Sequence, residues 1–220
     1  MLNNREQIIN YFLKTLPNRA YLEIGVRNGQ NFFSIDCAYK YGVDPDYFFA
    51  KRFLLKSLLK PNNWFYKMFK MTSDEFFFNN LKYNFIKKKI GVVFIDGLHT
   101  YSQSLNDAIN ALKLIDNKGF IIFHDCNPNS EVSASPDNPN REIHWNGDVW
   151  KTIYHLRKYT DQFDCYTINS DEGLGILKWK CEPNIDFLSE IKFLSHINEQ
   201  PYSFLEKDRN AVLGLQNAID

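Results

Sequence analysis

The sequence lacks the marks of several protein classes. Its four cysteines, Cys37, Cys126, Cys165 and Cys181, form no CxxC pair and no zinc-type cluster, so reduced thiols are expected in place of a disulfide frame or structural zinc. Apolar runs such as Gly91 to Ile95 fall far short of the roughly 20 residues that span a bilayer, so no transmembrane helix is expected. The opening stretch MLNNREQIINYFLKTLPNR reads as an amphipathic helix over residues 1–18 broken by charge, without an apolar signal core or a small-residue cleavage site. No export is expected, and a cytoplasmic setting is. Nor is there an excess of charge of either sign. Lys plus Arg equals Asp plus Glu at 26 each, so no net field draws the whole molecule to nucleic acid or membrane, and neither is expected as a partner. The expected partner is a small or neutral molecule.

What is present suits one α/β domain. At 220 residues, 44% apolar and 16% aromatic, the chain can bury enough surface to offset its ordering entropy, which argues against extended disorder. Ala20 to Ile24 form a short apolar strand ending at the turn VRNG, with a helix expected over Gln30 to Tyr39. A second strand over Tyr41 to Pro45 stops at the proline, which cannot donate to a ladder, and a helix follows to about Lys60. Trp64 to Met71 reads as a third strand, and Thr72 or Ser73, with Glu75 behind it, as a helix N-cap. The run Gly91 to Ile95 is the clearest strand, and Leu105, Ala108, Ile109, Leu112 and Ile115 share one face of the helix after it. Gly119 opens a strand over Phe120 to Phe123. The polar loop that follows, rich in Asn, Pro and Ser, is too long for a plain connection and is read as a lid over residues 126–146 or else as disorder. A helix over Asp148 to Lys158 and a hairpin, Phe163 to Ile168 and Leu174 to Trp179 across the NSDEG turn, complete a domain over residues 1–180. Residues 181–220 are set apart as a helical or loose extension.

Repeated strand and helix units with continuously apolar strands imply a parallel sheet covered on both faces, whose ligands bind beyond the carboxyl ends of the strands. The polar elements fall at such ends: Glu23 to Gly29, Asp44, Thr72 to Asp74, Asp96 to His99, and His124 with Asp125. In EIGVRNG, Gly25 permits close backbone approach, and Gly29 leads into a helix N-terminus whose free N–H groups suit a polar ligand. The full GxGxxG is missing, which argues against a dinucleotide pyrophosphate; taken alone, the motif is equally an ordinary tight turn. Asp44 follows Glu23 by 21 residues, where a carboxylate can accept both ribose hydroxyls or else cap the turn before Pro45. Ser73 or Asp74 could hold an adenine edge, and Ser73 could equally be only a cap.

Through YLEIGVRNG, YGVDPD, MTSDEF, VVFIDGLHTY and GFIIFHDCNP, residues 20–128 resemble the class I S-adenosylmethionine-dependent methyltransferases. Within them the chain is most similar to the small-domain enzymes that include macrolide-sugar O-methyltransferases and, more distantly, catechol O-methyltransferase. The resemblance implies an α/β, three-layer Rossmann-like sandwich with a mostly parallel seven-stranded sheet, order 3-2-1-4-5-7-6 with strand 7 antiparallel. It also implies S-adenosyl-L-methionine as cofactor, assigned to Glu23, Gly25, Gly29, Asp44, Ser73, Asp74 and Asp96. From Glu182 onward no resemblance is found.

Asp96 closes the fourth strand, and His124 and Asp125 close the fifth. Neighbouring strand ends lie about 5 Å apart, so Asp96 and Asp125 can converge on one hard cation. Mg or Mn suits oxygen ligands, and a His124 nitrogen tilts the preference towards Mn or a later metal. In the metal-dependent O-methyltransferases that the chain resembles, acidic residues at these two ends hold the metal, and a base follows the first ligand by three residues. The resemblance thus implies Asp96 and Asp125 as metal ligands and His99 as base, whose near-neutral reference pKa suits taking a proton from an acidified alcohol, and His124 is added as a third candidate ligand from its place beside Asp125. The sequence departs from the sugar-modifying relatives at His124, where they carry glutamate, and from the catechol type at Cys126, where it carries an amide. Alternatively, His99 caps the long helix or bonds in the interior, and Asp125 anchors a loop.

In Arg141 to Lys151, the side chains of His144, Trp145, Asp148 and Trp150 are candidates to face an acceptor, although Trp150 at helical spacing with Ile153 and Tyr154 reads as core and Asp148 as a cap. The Lys87, Lys88, Lys89 run reads as a solvated helix end. The expected reaction is methyl transfer to a hydroxyl of a sugar or other small metabolite. Two alternatives stay open: a non-catalytic methyltransferase-like module, and an NAD-dependent oxidoreductase, disfavoured by the missing third glycine and the lack of a YxxxK pair. A homo-oligomer is as compatible with the sequence as a monomer.

Overall fold

The computed structural model describes residues 2–138 and 145–217. Its strands are β1 (Ala20–Ile24), β2 (Tyr39–Val43), β3 (Tyr66–Phe69), β4 (Ile90–Ile95), β5 (Ile115–Phe123), β6 (Phe163–Ile168), β7 (Leu174–Trp179) and β8 (Leu215–Gln216). The helices are α1 (Arg5–Thr15), α2 (Gln30–Ser34), α3 (Lys51–Ser57), α4 (Ser73–Tyr83), α5 (Tyr101–Leu114), α6 (Trp150–Leu156), α7 (Ser195–Asn198), α8 (Tyr202–Lys207) and α9 (Arg209–Leu213). The sheet runs β3-β2-β1-β4-β5-β7-β6-β8. Its first five strands are mutually parallel, and β7 inserts antiparallel between β5 and β6. This is the implied order with one addition, the two-residue β8 paired parallel to β6.

Every position of β1 and β4 is buried, as expected of central strands covered on both sides. The two-residue period divides their side chains between two cores. Leu22, Ile24, Val93 and Ile95 join Phe76 of α4, Leu105 and Ala108 of α5 and Trp150 of α6. Tyr21, Val92 and Phe94 join Ile8, Ile9 and Phe12 of α1 and Phe32 and Phe33 of α2. Trp150 is therefore core.

Several boundaries differ from those read in the sequence. Helix α2 stops at Ser34, not Tyr39, because buried side chains take over its last carbonyls: Lys40 Nζ donates to Phe32 O at 3.1 Å and Asn63 Nδ2 to Phe33 O at 3.1 Å. The chain is thereby freed to enter β2 two residues early. Strand β5 starts at Ile115 instead of Phe120, with an irregular register opposite Ile90 and Val92. Helix α6 is shorter than Asp148 to Lys158, because Asp148 is spent elsewhere: its Oδ1 accepts from the Tyr101 amide at 2.6 Å, capping α5. Beyond residue 181 the described chain forms α7 to α9 and β8, and it sinks Leu188, Ile197, Leu205, Val212 and Leu213 into the core beneath α5 and α6. Arg209 Nη1 ties this segment to Asn127 Oδ1 at 2.6 Å and Pro128 O at 2.8 Å.

Asp107 of α5 is buried, and that burial raises its carboxyl to about 7 against the hydrogen bonds from Ser73 and Gln103. The folded state then holds a proton that the unfolded chain releases near pH 4, so stability from this group falls as pH rises from about 4 to about 7. Asp107→Asn should lessen that slope, and Glu23, raised by burial to about 8, with the raised imidazoles of His99 and His124, should account for what remains. Urea midpoints between pH 4 and 8 give the check: a wild-type slope unchanged in the variant would contradict it.

Candidate active site

A cleft of about 1400 Å³ opens at the carboxyl ends of β1 to β5, lined from Glu23 through Asp44 and Ser73 to Asp96, His99 and Asp125. The residues assigned to the cofactor, the metal and the base lie on or beside this one rim.

At the end of β1, Glu23 is buried; Tyr21 donates its hydroxyl to Glu23 Oε2 at 2.5 Å and Asn31 its Nδ2 at 2.9 Å. Burial lifts the Glu23 carboxyl to about 8 in spite of these bonds. Gly25 has φ +88°, and a Cβ there would stand 2.0 Å from Asp96 O. The close approach expected at Gly25 is thus made by the Asp96 backbone. Gly29, at φ +77°, begins α2 beside the Phe49 ring. That helix has only five residues, and Asn28 Oδ1 accepts from its Gln30 amide at 3.0 Å, so the expected row of free N–H groups is shortened.

Asp44 sits directly on the glycine turn. Its Oδ2 accepts from Arg27 N and its Oδ1 from Asp46 N, both at 2.7 Å. Arg27 has φ +50°, so the carboxylate fastens a turn that an arginine would otherwise adopt reluctantly. After β3 it is Thr72, not Ser73, that caps α4, in a capping box with Glu75. Ser73 Oγ and Asp74 Oδ1 both accept from Gln103 Nε2, at 3.1 and 3.0 Å, bracing α4 against α5 at the cleft wall.

The far half of the rim is a dense ionic cluster. His99 Nε2 lies 3.5 Å from Asp96 Oδ1 and its Nδ1 3.3 Å from Asp125 Oδ2. Its ring stacks on Trp145, centroids 5.0 Å apart, and Nδ1 is 3.0 Å from the Trp145 carbonyl. His124 Nδ1 lies 2.8 Å from Asp125 Oδ2 and 3.4 Å from Asp96 Oδ1, yet is buried without a hydrogen bond. Asp125 adopts φ +62°, uncommon for a non-glycine residue, and accepts from Asn146 Nδ2 at 2.8 Å. Burial acts to raise the Asp96 carboxyl, but the facing imidazoles of His124 and His99 outweigh it and hold the group well below the usual carboxylate range. For His124 and His99, burial acts downwards and the facing carboxylates win, so both imidazoles titrate above their ordinary value.

Three members of this cluster were not foreseen. Arg5, at the start of α1, grips Asp171 through Nη2 at 2.8 Å and Nε at 2.9 Å and reaches Asp96 Oδ2 with Nη1 at 3.1 Å. Asp171 Oδ1 stands 3.5 Å from His124 Nε2. Glu172, next on the same turn, is 3.4 Å from Asn146 Nδ2. Of the other acceptor candidates, Asp148 is buried against Tyr101 and Lys151, Trp145 is on the rim, and His144 lies outside the described residues.

The strand order with its antiparallel β7, and a cleft across the parallel strand ends, define the class I methyltransferase fold. In keeping with it, residues 22–126 match the family described as a methyltransferase domain. No curated protein matches the chain in sequence. Among solved structures it is similar to an O-methyltransferase from Bacillus cereus in complex with SAH, at 12% identity and TM-score 0.55 over 79% of each chain. It is also similar to the O-methyltransferase TomG from Streptomyces achromogenes, involved in tomaymycin synthesis and in complex with SAM, at 14% identity and TM-score 0.53 over 79% of this chain and 78% of that one. A third is the SAH-bound methyltransferase PaMTH1 of Podospora anserina, at 16% identity and TM-score 0.50 over 80% and 79%.

Proposed function

We propose that this chain is an O-methyltransferase that moves a methyl group from S-adenosylmethionine to a hydroxyl of a sugar or similar small acceptor, with a divalent cation held by Asp96, His124 and Asp125. The observation that carries the proposal is the union, in one cleft, of a carboxylate-fastened glycine turn and the cluster of Asp96, His99, His124 and Asp125. S-adenosylmethionine supplies an electrophilic methyl on a sulfonium, so the protein's task is orientation, water exclusion and removal of one proton. Asp44 binds the ribose: each of its oxygens is used once by a backbone amide, which leaves acceptor capacity for the two hydroxyls. Ser73 and Asp74 face the adenine end, and Glu23 and Gly25 shape the methionine end. The segment read as a lid, residues 126–146, of which 139–144 lie outside the described residues, covers the acceptor, and Trp145 holds the His99 ring parallel to its own.

The three cation ligands fit the role. One atom from each of Asp96, His124 and Asp125 lies within 4.8 Å of the others, and the buried Nδ1 of His124 lacks a hydrogen bond. A cation bound there would acidify the acceptor hydroxyl. Two carboxylate oxygens and an imidazole nitrogen suit Mn or Mg. The charge count leaves one rival. Asp96, Asp125 and Asp171 face Arg5, His99 and His124, so these six groups balance either with both imidazoles protonated or with both neutral beside a divalent ion, and Glu172 adds one further negative charge.

Calorimetric titration with S-adenosylmethionine and NAD, followed by transfer of labelled methyl to hydroxylated acceptors with Mn, Mg or a chelator, tests the proposal. Binding of the first ligand alone and chelator-sensitive transfer are expected. Chelator-resistant transfer would remove the cation but keep the transferase, and failure to bind S-adenosylmethionine would overturn both. Asp44→Ala removes a charged acceptor of about 1.5–3 kcal/mol per bond, so it should weaken S-adenosylmethionine binding about 10–100-fold; a change under about twofold would take Asp44 out of the site.

A further inference from the structure

The balanced total charge conceals a local imbalance. Residues 47–73 hold six cations, Lys51, Arg52, Lys56, Lys60, Lys67 and Lys70, and no Asp or Glu. All six are exposed, and none is ion-paired among the described residues. The same segment exposes Phe48 (75%), Leu55 (70%), Leu59 (79%), Trp64 (61%) and Phe65 (68%). Scattered single apolar side chains on a surface need no explanation, but five large ones within 18 residues, interleaved with unpaired cations, do.

The local geometry makes this one face. Helix α3 turns Phe53 and Leu54 inwards against the core beneath the sheet. Leu55 is exposed on its outer side with Arg52 and Lys56, and Leu59 and Lys60 are exposed in the turn that follows it. The Trp64 indole N–H donates to Leu58 O at 2.8 Å, which pins the ring against the end of the helix with its face open to solvent. Strand β3 is the edge of the sheet, so no further strand covers this side. At its other end the face meets the glycine turn, where the Phe48 amide donates to Arg27 O at 3.0 Å.

We propose that residues 48–67 dock the protein peripherally on anionic phospholipid bilayers, with α3 lying in the plane of the headgroups. Apolar tips collared by Lys and Arg, with an amphipathic indole among them, are the chemistry of interfacial anchors: side chains enter the acyl boundary while the cations meet lipid phosphates. Single-stranded nucleic acid would use the cations and the rings but gains nothing from exposed Leu55 and Leu59, which have no π face for a base to stack on. A second copy of the chain would set six like charges against six. Among the described residues no helix is long and apolar enough to cross a membrane, so the association is with the surface.

Co-sedimentation of the full chain with vesicles of phosphatidylcholine alone, and of equal parts phosphatidylcholine and phosphatidylglycerol, decides the matter. Binding to the second and not the first, weakened by salt, is expected. Lys56→Glu with Lys60→Glu, and separately Leu55→Ser with Trp64→Ser, should each lower the vesicle-bound to free ratio about tenfold or more. The charge pair touches nothing buried, so it keeps the test valid if the Leu55 and Trp64 pair loses stability. No preference for anionic vesicles, or binding unchanged in the charge variant, would overturn the proposal. So would an oligonucleotide-binding or self-association activity that the variants abolish without any vesicle binding in the wild type.

Discussion

His99→Gln should lower methyl-transfer kcat by about 10²–10⁴-fold, the usual worth of a positioned general base, and leave the Kd for S-adenosylmethionine within about twofold. The Trp145 carbonyl near Nδ1 and the Trp145 ring beneath fix the orientation of this imidazole, which presents Nε2 beside Asp96. Glutamine retains volume and polarity but cannot take a proton at neutral pH. Burial pulls the His99 pKa down, but the Asp96 hydrogen bond and the charges of Asp125 and Asp96 raise it overall, and a base must be neutral to act. The wild-type kcat/KM should therefore climb with pH as His99 loses its proton, and the variant should lose that limb. Turnover within threefold of wild type, with the limb intact, would leave His99 a structural residue that caps or braces the rim. Such a result would not touch the fold.

Where the rim was legible in the sequence, the reason is local. A parallel strand buried on both faces must be apolar almost throughout, so Glu23, Asp44, Asp96 and the pair His124 and Asp125 stand out as polar residues at the ends of such runs, and the sheet then brings every run's end to one side. Arg5 and Asp171 have no such contrast. Arg5 reads as one more solvated charge at a helix start, and Asp171 with Glu172 as turn formers beside Gly173, for which their φ values of +48° and +62° do qualify them. What carries Asp171 to His124 is the antiparallel insertion of β7 beside β5, a pairing between residues some fifty positions apart that no local pattern encodes. The early end of α2 has the same cause, since Lys40 and Asn63 arrive from later in the chain to take its carbonyls. The cationic face was written openly in residues 47–73, but summing charge over the whole chain erased it.

Gly25→Ala should cost about 3–5 kcal/mol of stability and abolish cofactor binding, while Gly97→Ala, on the other side of the same contact, should cost about 1 kcal/mol or less. The two glycines face each other where β1 and β4 end. A methyl at Gly25 would stand 2.0 Å from Asp96 O and 2.4 Å from the carbon of that carbonyl, both backbone atoms, and the residue would have to hold φ +88°. Rotation of a side chain cannot relieve this. The Gly25 amide is bonded to Val43 O at 2.9 Å and the Asp96 amide to Ile24 O at 2.8 Å, so parting the two strand ends breaks the ladder on both sides of β1. A methyl at Gly97 meets only Ile24 Cγ2, at 3.3 Å, a contact that a small side-chain shift relieves. Denaturant midpoints of the two variants, with S-adenosylmethionine titrated into each, separate a backbone clash from general fragility of the rim. If the two variants unfold at the same midpoint, the approach of β1 to Asp96 is not what fixes glycine at position 25, and the turn beside Asp44 must be held by the cofactor instead of awaiting it.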